Sequence, residues 1–193
     1  MFTTKGLNTE KKLSKYISYG NHLLRINSIE IKTAQSGSKQ LIFHMESPEI
    51  KAQGFVPEEG YKGQVGKIAF PGSYLKMDNQ TAVKEFNTAV GVIADTLGVR
   101  KELDNINAES FDDYVAAIEP LITNKYAWWA VAGEEYIKSD GKIGTKLKVR
   151  RYNFISSLEK GEPGLKPFDA SLAYNLKKVE APDSTAVKQD LPF

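Results

Sequence analysis

Cysteine is absent from the 193 residues, and histidine is limited to His22 and His44. A disulfide framework and thiolate chemistry are therefore excluded, as is a zinc site built from His and Cys. No apolar run approaches the roughly 20 residues needed to span a membrane. The N-terminal stretch MFTTKGLNTEKKLSK lacks the apolar centre of a secretory leader. These absences set the expectation of a cytoplasmic protein that does not engage a membrane. The phosphate-loop pattern G-x-x-x-x-G-K-[ST] and the dinucleotide pattern G-x-G-x-x-G are also missing. Neither histidine lies in a recognisable nucleophile or metal setting. Asp112 and Asp113 sit at the start of a predicted helix, where acids favour the helix dipole, so capping accounts for them better than metal binding. The expectation is a protein without catalysis, cofactor or metal.

Charge of one sign does not dominate, since the net charge is +2. Its distribution is uneven. Residues 78 to 119 hold nine acids and three bases. Residues 1 to 77 hold eleven bases and six acids, and residues 120 to 158 hold seven bases and three acids. A polyanion is drawn to the flanks and repelled by the middle.

Residues 19 to 33, YGNHLLRINSIEIKT, alternate as a strand whose phase slips: Leu24 and Ile26 are apolar at even positions, Ile29 and Ile31 at odd ones. A β-bulge near Asn27 and Ser28 keeps all four on one buried face. QSGS at 35 to 38 is a turn. Residues 39 to 46 form the returning strand, with Leu41, Phe43 and Met45 inward and His44 outward. Residues 64 to 70 form a third strand closed by Pro71-Gly72. Over 79 to 97 the apolar period becomes helical through Val83, Phe86, Val90, Ile93 and Leu97. Asp78 or Asn79 caps its start and Gly98 its end. A second helix covers 110 to 119, with Ser110 as N-cap. Strands at 125 to 138 and 145 to 152 flank an SDGK turn. Alternation puts one of the adjacent tryptophans inward and the other outward: Trp129 is assigned inward with Val131 and Trp128 outward with Tyr126, and the period fits the inverse nearly as well.

Three strands, a helical insert and two strands is the connectivity of the five-stranded OB-fold, a partly open Greek-key barrel. The expected architecture is therefore mainly β. A barrel domain spans 1–158 with its helical insert at about 79–120. A C-terminal segment, 159–193, carries four of the eight prolines. In it Phe168, Leu172, Leu176 and Val179 suit one short docked helix, with disorder expected after Pro182.

Single-strand binding requires cations along a phosphate track and rings on which bases stack. Arg25 and Lys32 fall on the outer phase of the first strand, and Lys39 opens the second. Tyr74 and Lys76 follow the third. Tyr126 and Trp128 share a phase of the fourth. The segment GTKLKVRRYNF places Lys146, Lys148, Arg150 and Tyr152 in one row if 145 to 152 is a single strand. Each of these cations is equally at home on an ordinary solvated strand face. Lys5, Lys11, Lys12 and Lys15, with Tyr16, read as a solvated arm. A second class of function is a protein-interaction module of a replication or virion assembly, with Trp128 at its interface.

The last residues, Asp190, Leu191, Pro192 and Phe193, resemble the C-terminal tip of bacterial single-stranded-DNA-binding proteins, which end Asp-Ile-Pro-Phe. In that family the tip docks on replication and repair enzymes, and the resemblance implies the same role for these four residues. The acidic run that precedes the bacterial tips is replaced here by Lys188 and Gln189. The segment GNHLLRINSIEIKTAQSGSKQLIFHME, the order of elements and an insert ending near LGV resemble the OB-fold single-stranded-DNA-binding proteins of tailed bacteriophages over residues 19 to 158. That resemblance implies non-enzymatic binding of single-stranded DNA during phage replication or recombination in the host cytoplasm, often as a homodimer or along the strand.

Overall fold

The computed structural model describes residues 15–48, 63–151, 153–164 and 176–179. Strand β1 (Gly20–Thr33) pairs antiparallel with β2 (Lys39–Glu46), which pairs antiparallel with β3 (Val65–Leu75). Three helices follow: α1 (Gln80–Leu97), α2 (Arg100–Asp104) and α3 (Phe111–Ile122). Then come β4 (Tyr126–Ile137) and β5 (Ile143–Val149). β5 pairs antiparallel with β4 and parallel with β3, and β4 pairs antiparallel with the first half of β1. The ladder thus runs β1-β2-β3-β5-β4 and returns to β1, a five-stranded ring with helices between β3 and β4. Two short strands, β6 (Ile155–Ser156) and β7 (Leu176–Lys177), add to β4. Among the described residues no helix is long and apolar enough to cross a membrane.

The bulge lies where the phase slip placed it. Ile26 faces Met45 and Ser28 faces His44, so Asn27 is the extra residue. Backbone groups that a bulge frees need other partners. Here the end of α3 supplies them: Glu119 Oε1 accepts the Ile29 N–H at 2.8 Å, and the Ile26 carbonyl accepts the Asn124 N–H at 2.8 Å. The slip keeps Leu24 and Ile26 fully buried, while Ile29 and Ile31 pack against the core. Inside the ring, Phe43 stacks on Phe70 at 5.0 Å and meets Trp129 edge-on at 6.1 Å. Phe70 also meets Phe86 of α1 at 5.8 Å, which joins the helical insert to the ring.

The helix ends are capped by the residues the sequence offers. Asn79 Oδ1 accepts the Ala82 N–H at 3.0 Å, and Gly98 closes α1 with φ +71°, a left-handed conformation that glycine adopts without steric penalty. Ser110 Oγ accepts the Asp113 N–H and donates to Asp113 Oδ2 at 2.6 Å, a reciprocal cap that accounts for that acid.

Three expectations need correction, and one helix was not anticipated. β3 does not stop at Pro71-Gly72 but runs to Leu75. Leu41 faces Phe70 while Lys39 faces Leu75, so residues 71 to 74 bulge opposite Gln40 alone. Proline needs no ladder partner for its nitrogen, and buried Gln40 donates its Nε2 to the Pro71 carbonyl at 3.1 Å. β5 begins at Ile143 and ends at Val149, so the alternating row leaves the ladder before Arg150. The short helix α2 had no periodic signal of its own. Finally, Leu176 belongs to a strand parallel to β4 rather than to a docked helix, and Val179 donates its N–H to Glu135 at 3.3 Å. Phe168 and Leu172 lie outside the described residues.

Candidate nucleic-acid interface

The outer phases of β2, β3 and β5 meet across the ring. His44 faces Lys67, Ile42 faces Ala69, and Ala69 faces Lys148. A cavity of about 680 Å³ opens on this face. Its floor is apolar, formed by Ile42 and Ala69, and its cations are Lys32, Lys67 and Lys146. Three tyrosines line it as well: Tyr16, Tyr19 and Tyr136. A fourth, Tyr74, is carried by the β3 bulge to within 5.9 Å of the Lys146 ammonium, a cation–π distance. These four tyrosines are 40 to 63 % exposed. Among the described residues no other aromatic side chain reaches that exposure. The exposed rings therefore converge on one cationic face.

Two carboxylates temper the charge. Glu30 accepts from His44 at 3.0 Å and from Lys67 at 3.3 Å. The hydrogen bond with His44, then the one from Lys67, holds the Glu30 carboxyl below the usual carboxylate range, so it stays ionised near neutrality. Lys148 donates to Glu134 at 3.0 Å. Four lysines stand against two glutamates, and Lys148 is the most compensated because its side chain is also the least exposed of the paired lysines on this face. Its stem passes Gly72, where a Cβ would lie 3.0 Å from Lys148 Cδ. Glycine at 72 thus lets the bulge close over the lysine.

The structure divides the sequence-selected residues. Lys32, Lys146, Lys148 and Tyr74 gather on the groove face. Arg25, Tyr126 and Trp128 occupy the β1–β4 sector and do not line the cavity. Arg25 stands over the Tyr126 ring at 5.6 Å and donates to Glu46 at 3.3 Å, while Trp128 is half-buried opposite Leu23 and Ser156. Trp129 is 1 % exposed, inward as assigned. Lys76 is exposed in the turn before α1. Lys39 is not on the outer face: it shares the inward phase of Leu41 and reaches α3, donating to Asp112 at 2.6 Å beside the Phe111 ring. Tyr152 and the four tip residues Asp190, Leu191, Pro192 and Phe193 lie outside the described residues.

Arg150 is the largest departure. It is 3 % exposed, and its Nη2 donates to the Asn153 carbonyl at 2.6 Å and the Gly164 carbonyl at 3.2 Å. A buried guanidinium so held fastens the 150–164 segment instead of extending the lysine row. Hydrogen bonds to charged groups contribute about 1.5–3 kcal/mol each. Arg150→Ala is therefore expected to lower the thermal midpoint by at least about 4 °C. A melt indistinguishable from wild type, followed by circular dichroism, would show that this fastening carries no stability.

Sequence reasoning missed Lys67, Tyr136, Tyr16 and Tyr19. Strand alternation could have found two of them. Lys67 is out of phase with the inward Ile68 and Phe70, and Tyr136 shares the phase of Tyr126 and Trp128. Neither a family model nor a curated protein matches the chain.

Proposed function

We propose that this chain is a non-catalytic, sequence-tolerant single-stranded-DNA-binding protein on an OB-type barrel, acting in phage DNA replication or recombination. The observation that carries the reading is the convergence of the exposed tyrosines on the face that holds Lys32, Lys67 and Lys146. Bases need π-faces and phosphates need cations. The ring of five strands with its helices between β3 and β4 supports the OB reading, because such barrels bind oligonucleotides across their second and third strands. Lys67 and Ile42 stand on those strands, and Lys146 reaches them from β5. The C-terminal tip, by its resemblance, serves as a docking peptide for replication or recombination proteins.

Binding is read by fluorescence anisotropy of a labelled poly-dT strand. Tryptophan emission is a poor reporter, since Trp129 is buried in the core and Trp128 is half-buried outside the groove. With three to four lysines reaching phosphates, log affinity is expected to fall against log salt with a slope of about −2 to −3, at about −0.7 per contact. Duplex of the same length should compete weakly. A flat salt response, or equal competition by duplex, would refute the reading.

A further inference from the structure

The segment before β1 reads in sequence as a solvated arm. In the fold it is a built wall. Ile17 donates its N–H to the Val65 carbonyl at 3.0 Å, and Val65 donates to the Lys15 carbonyl at 3.1 Å. Tyr16 thereby bridges in parallel to Val65, ahead of Ile68, where β5 joins β3. Ile17 anchors the segment, buried at 4 % exposure within the core cluster. Gly66 makes room for it, since a Cβ there would lie 3.1 Å from Ile17 Cβ. Extended backbone sends alternate side chains to opposite faces. With Ile17 inward, Tyr16 is turned outward at 63 % exposure; Tyr19, past the bridge where the alternation no longer holds, is 44 % exposed. Both line the cavity that holds Lys67, Lys146 and, on β4, Tyr136.

Large exposed rings fastened in place are informative in a way that scattered ones are not. The two hydrogen bonds and the Ile17 anchor fix the backbone that carries Tyr16 and Tyr19, so little ordering remains when a flat ligand arrives. The neighbouring lysines select an anionic ligand, and the rings select one with exposed π-faces. An unpaired nucleotide has both features, whereas a paired base hides its faces in the duplex stack. We infer that residues 15–19 form one wall of the single-strand track and that Tyr16 and Tyr19 are base-stacking residues, with Lys67 and Lys146 taking the adjacent phosphates. The inference rests on the single-strand reading of the same groove and adds to it a wall that lies outside the five-stranded ring.

The test compares four full-length proteins in poly-dT anisotropy: wild type, Tyr16→Ala with Tyr19→Ala, Tyr16→Phe with Tyr19→Phe, and Lys67→Glu with Lys146→Glu. The alanine pair is expected to lose at least about tenfold in affinity while the phenylalanine pair stays within about twofold, because stacking needs the ring and not the hydroxyl. Thermal midpoints of both tyrosine pairs should match wild type. If the alanine pair binds as wild type while the lysine pair loses binding, the wall is not part of the track and the inference fails alone. Equal losses in the alanine and phenylalanine pairs would contradict stacking. Absence of binding by wild type would overturn the single-strand reading and the inference with it.

Discussion

Exchanging Lys67 and Lys146 together for glutamate is expected to lower poly-dT affinity by about a hundredfold at low salt. A charge 4 Å from a phosphate contributes about 1 kcal/mol in water. Reversal turns that attraction into repulsion, about 2 kcal/mol per site, and screening brings the pair nearer to 3 than to 4 kcal/mol. The slope of log affinity against log salt should flatten by about 1.4, two contacts at about 0.7 each. Both lysines are exposed, and Lys67 pairs only at the surface with Glu30. The fold is expected to persist, because exposed ion pairs contribute little. Lys84→Glu with Lys101→Glu is the matched control. It removes the same net charge from exposed helical positions, and its affinity should fall far less. Equal losses in the two double variants would mean that overall charge, and not the groove, attracts the strand.

Phe70→Ala is expected to have the largest effect on stability. The ring is 2 % exposed and touches Phe43 at 5.0 Å, Phe86 at 5.8 Å and Phe154 at 6.1 Å. It therefore joins the inside of the ring, helix α1 and the segment beyond β5. Truncating a buried phenylalanine costs about 3–5 kcal/mol, against a total stability of about 5–15 kcal/mol. For a chain of this size the thermal midpoint should drop by about 6–20 °C. A shift under about 3 °C, measured by calorimetry, would mean that the helical insert is not packed on the ring through this side chain.

Features set by neighbours in sequence were legible. The phase slip between Ile26 and Ile29 located the bulge at Asn27 because a strand has a period of two and the buried face tolerates no other solution. Asn79, Ser110 and Gly98 declared the helix ends by their chemistry. The alternation of Tyr126 to Trp129 required the two indoles to take opposite faces but left open which was inward; the core takes Trp129. What failed depended on partners that the strand period does not report. Arg150 continues the cationic alternation in sequence, but carbonyls at Asn153 and Gly164 fold it inward. Lys39 keeps the inward phase of Leu41 and finds its carboxylate on α3, 73 residues away. The wall at residues 15–19 exists only because Val65 offers an open edge, and nothing in MFTTKGLNTEKKLSKY announces a parallel bridge to it.

The most direct measurement is lysine footprinting by brief acetylation and mass spectrometry, with and without poly-dT. Lys32, Lys67 and Lys146 should be protected by the strand, while Lys84 and Lys101 should be modified equally in both states. Uniform modification of all five, or protection confined to the helical lysines, would show that the unpaired strand does not follow the face between the tyrosines.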